Sequence, residues 1–393
     1  TMQYRINSKN GDRLSTLGYG CMRFTRTGGV IDQKKAESEM RRAIELGVNY
    51  FDTAYTYPGS EVCVGRFLSA GYRDRIKLAT KMPQYMVRSS ADLDRFFSEE
   101  LKRLNTDHID YYLLHMLADT GAWSRLQGLE IEKWIEARKS DGSIRNIGFS
   151  YHGGTSGFKA LIDAYDFDFC QIQFNYFDKD GQAGEQGLKY AAQKGLPVII
   201  MEPLRGGRLA GGLPEQAKAA WAENEPGRSF AELGFRWLWN YPEVTVVLSG
   251  MNSVSQIEEN CRTASEMVPD SLTRKELEVY DNVRDIIKRN MAVPCTGCGY
   301  CMPCPAGVDI PTCFNAMNVR RADGWMTGLR EYIMCTSMKT RPTKASMCIK
   351  CGRCEQHCPQ KIEIRRELSA VASAMEGVPY KVSMAALKLL QRV

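Results

Sequence analysis

Ten of the fourteen cysteines of this 393-residue chain fall between Cys295 and Cys358, and their spacing constrains the fold of that segment more than any other feature. The later run reads Cys348-x2-Cys351-x2-Cys354-x3-Cys358-Pro359, the arrangement with which a cubane 4Fe–4S cluster is held. Two-residue gaps let one turning loop aim three thiolates at three irons. The fourth cysteine, followed by proline, is carried away and ligates the other cluster when there are two. An earlier run, Cys295-x2-Cys298-x2-Cys301-x2-Cys304-Pro305, supplies that partner, its last gap one residue shorter. The expected sets are Cys295, Cys298, Cys301 and Cys358 for one cluster and Cys348, Cys351, Cys354 and Cys304 for the other, with one cluster instead of two left open. Structural zinc also uses C-x2-C pairs, but needs two pairs for one ion, whereas here two runs of four each close on Cys-Pro. Cys313 and Cys335 stand outside both runs and are expected as free buried thiols.

The other four cysteines, Cys21, Cys63, Cys170 and Cys261, have unrelated spacings, and the first 290 residues follow a different rule. Two short strands flank Asn10-Gly11-Asp12 as a hairpin. Candidate strands then lie near 17–22, 48–52, 76–80, 108–114, 144–149, 168–174, 197–201 and 244–248. Helical patterns intervene, among them Gln33 to Leu46, Ser90 to Leu104, Glu130 to Arg138 and Phe230 to Trp239. Eight βα units in about 250 residues fit a (β/α)8 TIM barrel better than a doubly wound sheet. No G-x-G-x-x-G follows the first strand. The expected organisation is a barrel over 1–285 and a small, cysteine-rich, mainly helical ferredoxin-like domain over 286–393. Arg365 to Ala374 and Lys381 to Leu390 read as helices, the latter expected to pack on the barrel through Met384, Leu387, Leu389 and Leu390.

In such a barrel chemistry belongs just beyond the strand C-termini. There the sequence places Asp52 and Tyr57 after the second strand, Lys81 in the third and His115 in the fourth. A neighbouring ammonium stabilises a phenolate and is expected to lower the Tyr57 pKa from its reference near 10. Asp52 would hold Lys81 in place, and His115 would donate to the same substrate oxygen. Together they would protonate a carbonyl oxygen that receives hydride.

These residues resemble the Asp-Tyr-Lys-His tetrad of the aldo-keto reductase superfamily, in order, over about residues 3–270. With its cysteine-rich remainder the chain is similar to the subgroup that appends a ferredoxin-type 4Fe–4S domain. The resemblance implies NADPH or NADH bound by Ser150, Gln171, Met201, Pro203, Leu204, Gly206, Ser249, Gln256, Glu259 and Asn260. Tyr151 stands where the family has Asn, and Met201 begins the segment where a stacking aromatic is usual. The usual 2′-phosphate cations are replaced by Gly250 and Gln256, for which Arg205, Arg208 or Arg262 could substitute.

The implied activity is reduction of an aldehyde, ketone or quinone, with Tyr57 as general acid and clusters for electron transfer or redox sensing. The alternative is a flavin-linked or ferredoxin-coupled electron-transfer protein whose barrel does not use NAD(P)H directly, because hydride moves two electrons and a cluster one. Expected partners are a small carbonyl compound and a ferredoxin or other electron carrier. The net charge of +6 is spread without a basic stripe, so no nucleic acid is expected. The longest apolar run, Leu196 to Met201, is far short of a membrane span. The N-terminal stretch TMQYRINSKNGDR lacks an apolar segment, and the expected location is the reducing cytoplasm.

Overall fold

In the computed structural model the described residues are 1–289, 292–295, 297, 299, 301–358 and 361–390, the side chains of Lys388 and Leu390 excepted. Cys298 and Pro359 of the expected cluster motifs therefore lie outside the described residues.

All eight expected strands form, and they close into a parallel barrel in chain order. They are β1 (Leu17–Gly20), β2 (Tyr50–Asp52), β3 (Lys77–Met82), β4 (Ile109–Leu117), β5 (Ile144–Tyr151), β6 (Phe169–Gln173), β7 (Val198–Met201) and β8 (Val244–Ser249). Helices cover the outer face, so both faces of each strand are dry and the strands read as continuous apolar runs; every residue of β8 is buried. Helices occur where the periodicity places them, at Gln33–Glu45, Ser90–Leu104, Ile131–Ser140 and Phe230–Trp239. The second of these starts in a capping box between Ser89 and Asp92.

The barrel interior is filled by Tyr50, Ala79, Tyr111, Leu113, Phe169, Ile199, Val246 and Leu248, together with Leu14 from the N-terminal hairpin. That hairpin pairs Tyr4–Ile6 with Arg13–Ser15, and Gly11 takes φ +79° in its turn, a conformation that suits glycine. Asn7 Nδ2 donates to the Tyr111 hydroxyl at 3.0 Å, and that hydroxyl donates to Asp12 at 2.8 Å. One end of the barrel is thus plugged. Only the strand C-termini open towards a site.

The helix Arg274–Arg289 belongs with the barrel, since Val279, Val283, Ile286 and Ile287 join its core. The boundary expected at 285/286 falls inside this helix. A separate core begins at Val293 and gathers Val308, Phe314, Tyr332, Leu368, Val371 and Met375 from helices that include Ile310–Asp323, Trp325–Tyr332 and Ile364–Met375. The last helix, Val378–Leu390, does not pack on the barrel as expected. Its Tyr380, Met384 and Leu387 meet this second core instead.

This domain sits against the rim where the barrel strands end. Thr340 donates to Asp119 beyond β4 at 3.2 Å, and Arg208 beyond β7 donates to the Asp323 carbonyl at 2.6 Å. Gly121 is packed so tightly that a Cβ there would lie 2.7 Å from the Thr340 hydroxyl. Among the described residues no helix is long and apolar enough to cross a membrane.

Candidate active site and iron–sulfur centre

Parallel register brings the ends of β2, β3 and β4 side by side, with Asp52 opposite Ala79 and Lys81 opposite Leu113. Lys81 Nζ donates to Asp52 Oδ1 at 2.5 Å and to the Thr53 carbonyl at 2.8 Å, both buried. The same Nζ stands 5.1 Å from the centre of the Tyr57 ring. His115 meets that ring edge-on, with centroids 6.1 Å apart, and its Nδ1 is 3.5 Å from the Thr56 hydroxyl. The four residues singled out from sequence are together on one rim.

Their electrostatics differ from expectation at one point. Burial pushes the Tyr57 phenol above its ordinary pKa; Lys81 pulls it down, and Asp52 works against Lys81. The expected lowering is therefore outweighed by desolvation, and Tyr57 keeps its proton at neutral pH. Burial opposes the charge on Lys81, but Asp52 and Tyr57 outweigh it and hold the ammonium above its usual range. His115 is driven well below the ordinary histidine value by burial, with Lys81 and His152 adding to it. The rim thus holds a protonated phenol, a fixed cation and a neutral imidazole.

Three further residues border this group without having been singled out. Tyr85 lies 6.5 Å from His115, ring to ring. His152 is buried, its pKa pushed down to about 4 by burial and Arg330, and its Nδ1 has no hydrogen-bond partner among the described residues. Glu202 is close enough to raise the Tyr57 pKa. His152 was legible only as the residue after the fifth strand; Tyr85 lies in the short 3-10 turn Gln84–Met86 and Glu202 in the loop after β7, and neither segment carries a local pattern.

The residues assigned to the nucleotide occupy the neighbouring rim. Gln171 Nε2 donates to Asp52 Oδ2 at 3.0 Å, tying β6 to the tetrad. Ser150 Oγ accepts the Met116 amide at 2.8 Å. Met201 is half-buried at the end of β7, Pro203 is buried beside it, and Leu204 packs where a Cβ on Gly234 would clash. Asn260 Nδ2 donates to Ser249 Oγ at 3.2 Å, Glu259 accepts from the Ser229 hydroxyl, and Gln256 Oε1 accepts the Asn252 amide at 3.0 Å.

Gly206 and Gly250 form a cradle with Arg23 lying along it. A Cβ on Gly206 would come within 2.8 Å of Arg23 Nη2, and one on Gly250 within 3.1 Å of Arg23 Cδ. An exposed guanidinium beside bare glycine backbone is suited to phosphate oxygens, and a dinucleotide fits these residues. Arg205 and Arg208, offered from sequence as that cation, each have acidic partners. Arg205 Nε pairs with Asp178 at 3.0 Å and its Nη2 reaches Asp323 at 4.0 Å, while Arg208 Nε is 3.6 Å from Asp323. Both are engaged in fastening the β7 loop to the cluster domain.

The expected cluster sets are partly described. Cys304, Cys348, Cys351 and Cys354, the four assigned to one cluster, ring a cavity of about 190 Å³ that Cys301 also borders. The shortened gap before Cys304 does not turn it away. The four thiols line one cavity, which suits a polyatomic cluster. Amides point at the sulfurs, Lys350 N at Cys348 Sγ and Gly297 N at Cys295 Sγ, each 3.4 Å, the type of contact that tunes cluster potentials. Cys295 borders a second, larger cavity with Lys288 and Gly297. Of its expected partners, Cys298 is outside the described residues and Cys358 is half-buried. Cys313 and Cys335 are buried free thiols.

Comparison with known proteins agrees with both halves. The profile of the Aldo/keto reductase family matches residues 16–276, and that of a 4Fe-4S dicluster domain matches residues 294–363. L-galactose dehydrogenase of Arabidopsis thaliana is 26% identical over 313 residues, covering 73% of this chain and 96% of its own. L-glyceraldehyde 3-phosphate reductase of Escherichia coli K12 is 24% identical over 327 residues, covering 71% and 92%. Among solved structures, an aldo-keto reductase of Bacillus halodurans in its holo form superposes with a TM-score of 0.61 at 27% identity, covering 72% of this chain and 96% of that one. One from Klebsiella pneumoniae in complex with NADP and acetate gives 0.59 at 25% identity, covering 72% and 95%.

Proposed function

The chain belongs to the aldo/keto reductase family and carries a C-terminal 4Fe-4S dicluster domain, and from that premise we propose that it reduces a small carbonyl compound with NAD(P)H, using Tyr57 as general acid. The carrying observation is the buried Lys81–Asp52 pair at 2.5 Å beneath Tyr57, with neutral His115 on the other side of the phenol. Reduced nicotinamide, when bound, supplies a hydride, and the clusters, when bound, supply single electrons.

The chain's own residues do the rest. Tyr57 keeps its proton at neutral pH and stands with His115 at the C-terminal ends of the strands. As negative charge develops on a substrate oxygen there, the Tyr57 proton moves to it, and Lys81 stabilises the phenolate left behind. Asp52 fixes Lys81. Neutral His115 orients the oxygen by donating a hydrogen bond without competing as a stronger acid. Gln171, bound to Asp52, links this group to the nucleotide rim, and Gly206, Gly250 and Arg23 receive the phosphates, with Ser150, Ser249, Gln256, Glu259 and Asn260 along the same edge. We place the division between the units in the segment after Arg289, and assign the cluster ligands as Cys295, Cys298, Cys301 and Cys358, and Cys304, Cys348, Cys351 and Cys354.

The test is an anaerobic assay of the whole chain with NADPH and with NADH against simple aldehydes, ketones and quinones. Nucleotide oxidation that depends on the carbonyl compound is expected. Failure of every carbonyl compound, with the nucleotide bound and the clusters intact, would overturn the proposal.

A further inference from the structure

The 190 Å³ cavity ringed by Cys304, Cys348, Cys351 and Cys354 lies at the surface of the molecule. Cys351 itself is exposed. Between Cys348 and Cys351 stand Ile349, 65% exposed, and Lys350, whose backbone takes φ +58°. Met302, 37% exposed, borders the same cavity. An isoleucine and a methionine held out in water beside a cluster-sized cavity form a small apolar patch that belongs to no core among the described residues.

The rim of this patch is positively charged. Arg353 and Arg365 line the cavity. Six Lys or Arg face three Glu between residues 344 and 367, and the acids are already taken. Glu355 is held by Arg365 at 2.8 Å, Glu367 by Arg366 at 2.9 Å, and Glu363 also by Arg366. Lys350, Arg353 and Lys361 are exposed, and among the described residues none of them pairs with an acid. The uncompensated charge around the patch is cationic.

A one-electron exchange needs a short path and only a brief encounter, so its interfaces are small and rely on electrostatic steering to find their register. The site has that construction: a thiol ligand at the surface, a small apolar contact, and unpaired exposed cations in the same segment, Arg353 on the cavity itself and Lys350 next to Ile349. We propose that this face docks a small acidic electron-carrier protein, and that it exchanges single electrons with the cluster held by Cys304, Cys348, Cys351 and Cys354. One electron leaves the carrier and one arrives at the cluster, or the reverse; no bond is made or broken. The proposal rests on the reading that these thiols hold a redox-active cluster.

The experiment uses the anaerobically purified full chain and follows its visible cluster absorbance after mixing with a reduced flavodoxin, an acidic carrier, at low and high salt. The second-order rate at low salt is expected to fall by about tenfold or more when salt is raised. A similar fall is expected in the Lys350→Glu/Arg353→Glu/Lys361→Glu variant, and an intermediate one in the corresponding Gln triple. Bleaching by dithionite, iron and sulfide content, and carbonyl reduction by NADPH should match the parent in both variants. A rate indifferent to salt and to the substitutions would overturn the proposal. So would a basic carrier such as cytochrome c, offered to the reduced chain, that reacts with the parent faster than the acidic carrier does and is slowed by the Glu substitutions. A parent chain with no dithionite-bleachable absorbance would remove the cluster reading, and the docking face with it, while leaving carbonyl reduction to be judged by its own assay.

Discussion

Four side chains from three consecutive strand ends do different work because their surroundings set their protonation apart. Tyr57 is raised by burial, Lys81 is kept charged chiefly by Asp52 against burial, and His115 is kept neutral. Carbonyl reduction should therefore hardly vary with pH across neutrality, and should fall on the alkaline side as Tyr57 loses its proton. Lys81→Met should remove the cation that opposes burial and cost about 10²-fold or more in kcat, measured against unchanged nucleotide affinity. The two rim histidines bear on stability in a definite direction. Their folded pKa values lie below the unfolded one, so the stabilisation they give is present above the ordinary histidine value and is lost as pH falls. For His152, whose folded value is about 4, the loss between neutral pH and pH 4 is about 3 kcal/mol. Denaturant titrations of His152→Phe and the parent should converge in their pH dependence by that amount, and parallel curves would show that His152 is not buried neutral. Asp52, Tyr57, Lys81 and His115 were legible in the sequence because each stands in or just after the C-terminal part of a strand whose apolar run announces it. His152 follows such a strand too, but a single histidine after Ser150 and Tyr151 has no spacing to set it apart.

At the scale of elements, the loop after β7 is the point where the two halves of the chain are fastened together. Arg205 is held by Asp178 and approaches Asp323, and Arg208 binds the Asp323 carbonyl. Asp323 comes from the end of a cluster-domain helix, yet it steadies the loop whose Gly206 faces the expected phosphates. Asp323→Ala should cost about 1–3 kcal/mol of stability, as expected for a buried charged partner removed from a network that keeps Asp178. It should also weaken nucleotide binding, read by fluorescence titration. Full affinity in this variant would show that the loop is set by the barrel alone. The sequence offered Arg205 and Arg208 as phosphate cations, and it could not show that both reach Asp323, which stands more than a hundred residues away where no periodicity connects it to the loop. The same distance hid Arg23, which precedes the cradle it lies in by some two hundred residues. The final helix shows the limit from the other side. Its apolar positions were legible, but an apolar face does not say which of two cores will receive it, and Met384 and Leu387 went to that of the cluster domain.

For the whole molecule, the two cores are separate but the functional rims meet, because the cluster domain rests on the open end of the barrel through Thr340, Glu331 and Asp323. Removing iron should therefore be felt in both halves. Cys354→Ser is expected to lower iron and sulfide content and to loosen the segment from Val293 to Met375 in hydrogen exchange, with smaller changes spreading to the loops after β4 and β7. Protection unchanged there would mean that the cores are independent. The alternation of strand and helix made the barrel legible from one end to the other, and the cysteine spacing did the same for the second domain; what neither could give was the face on which the two would join. The account as a whole depends on proton delivery by Tyr57 at that shared rim. Its most direct test is the Tyr57→Phe chain, purified anaerobically and assayed with NADPH and an accepted carbonyl compound beside the parent, with nucleotide affinity measured on both. Turnover is predicted to fall by about 10³-fold or more while affinity stays within about twofold; turnover within about threefold of the parent would contradict the account.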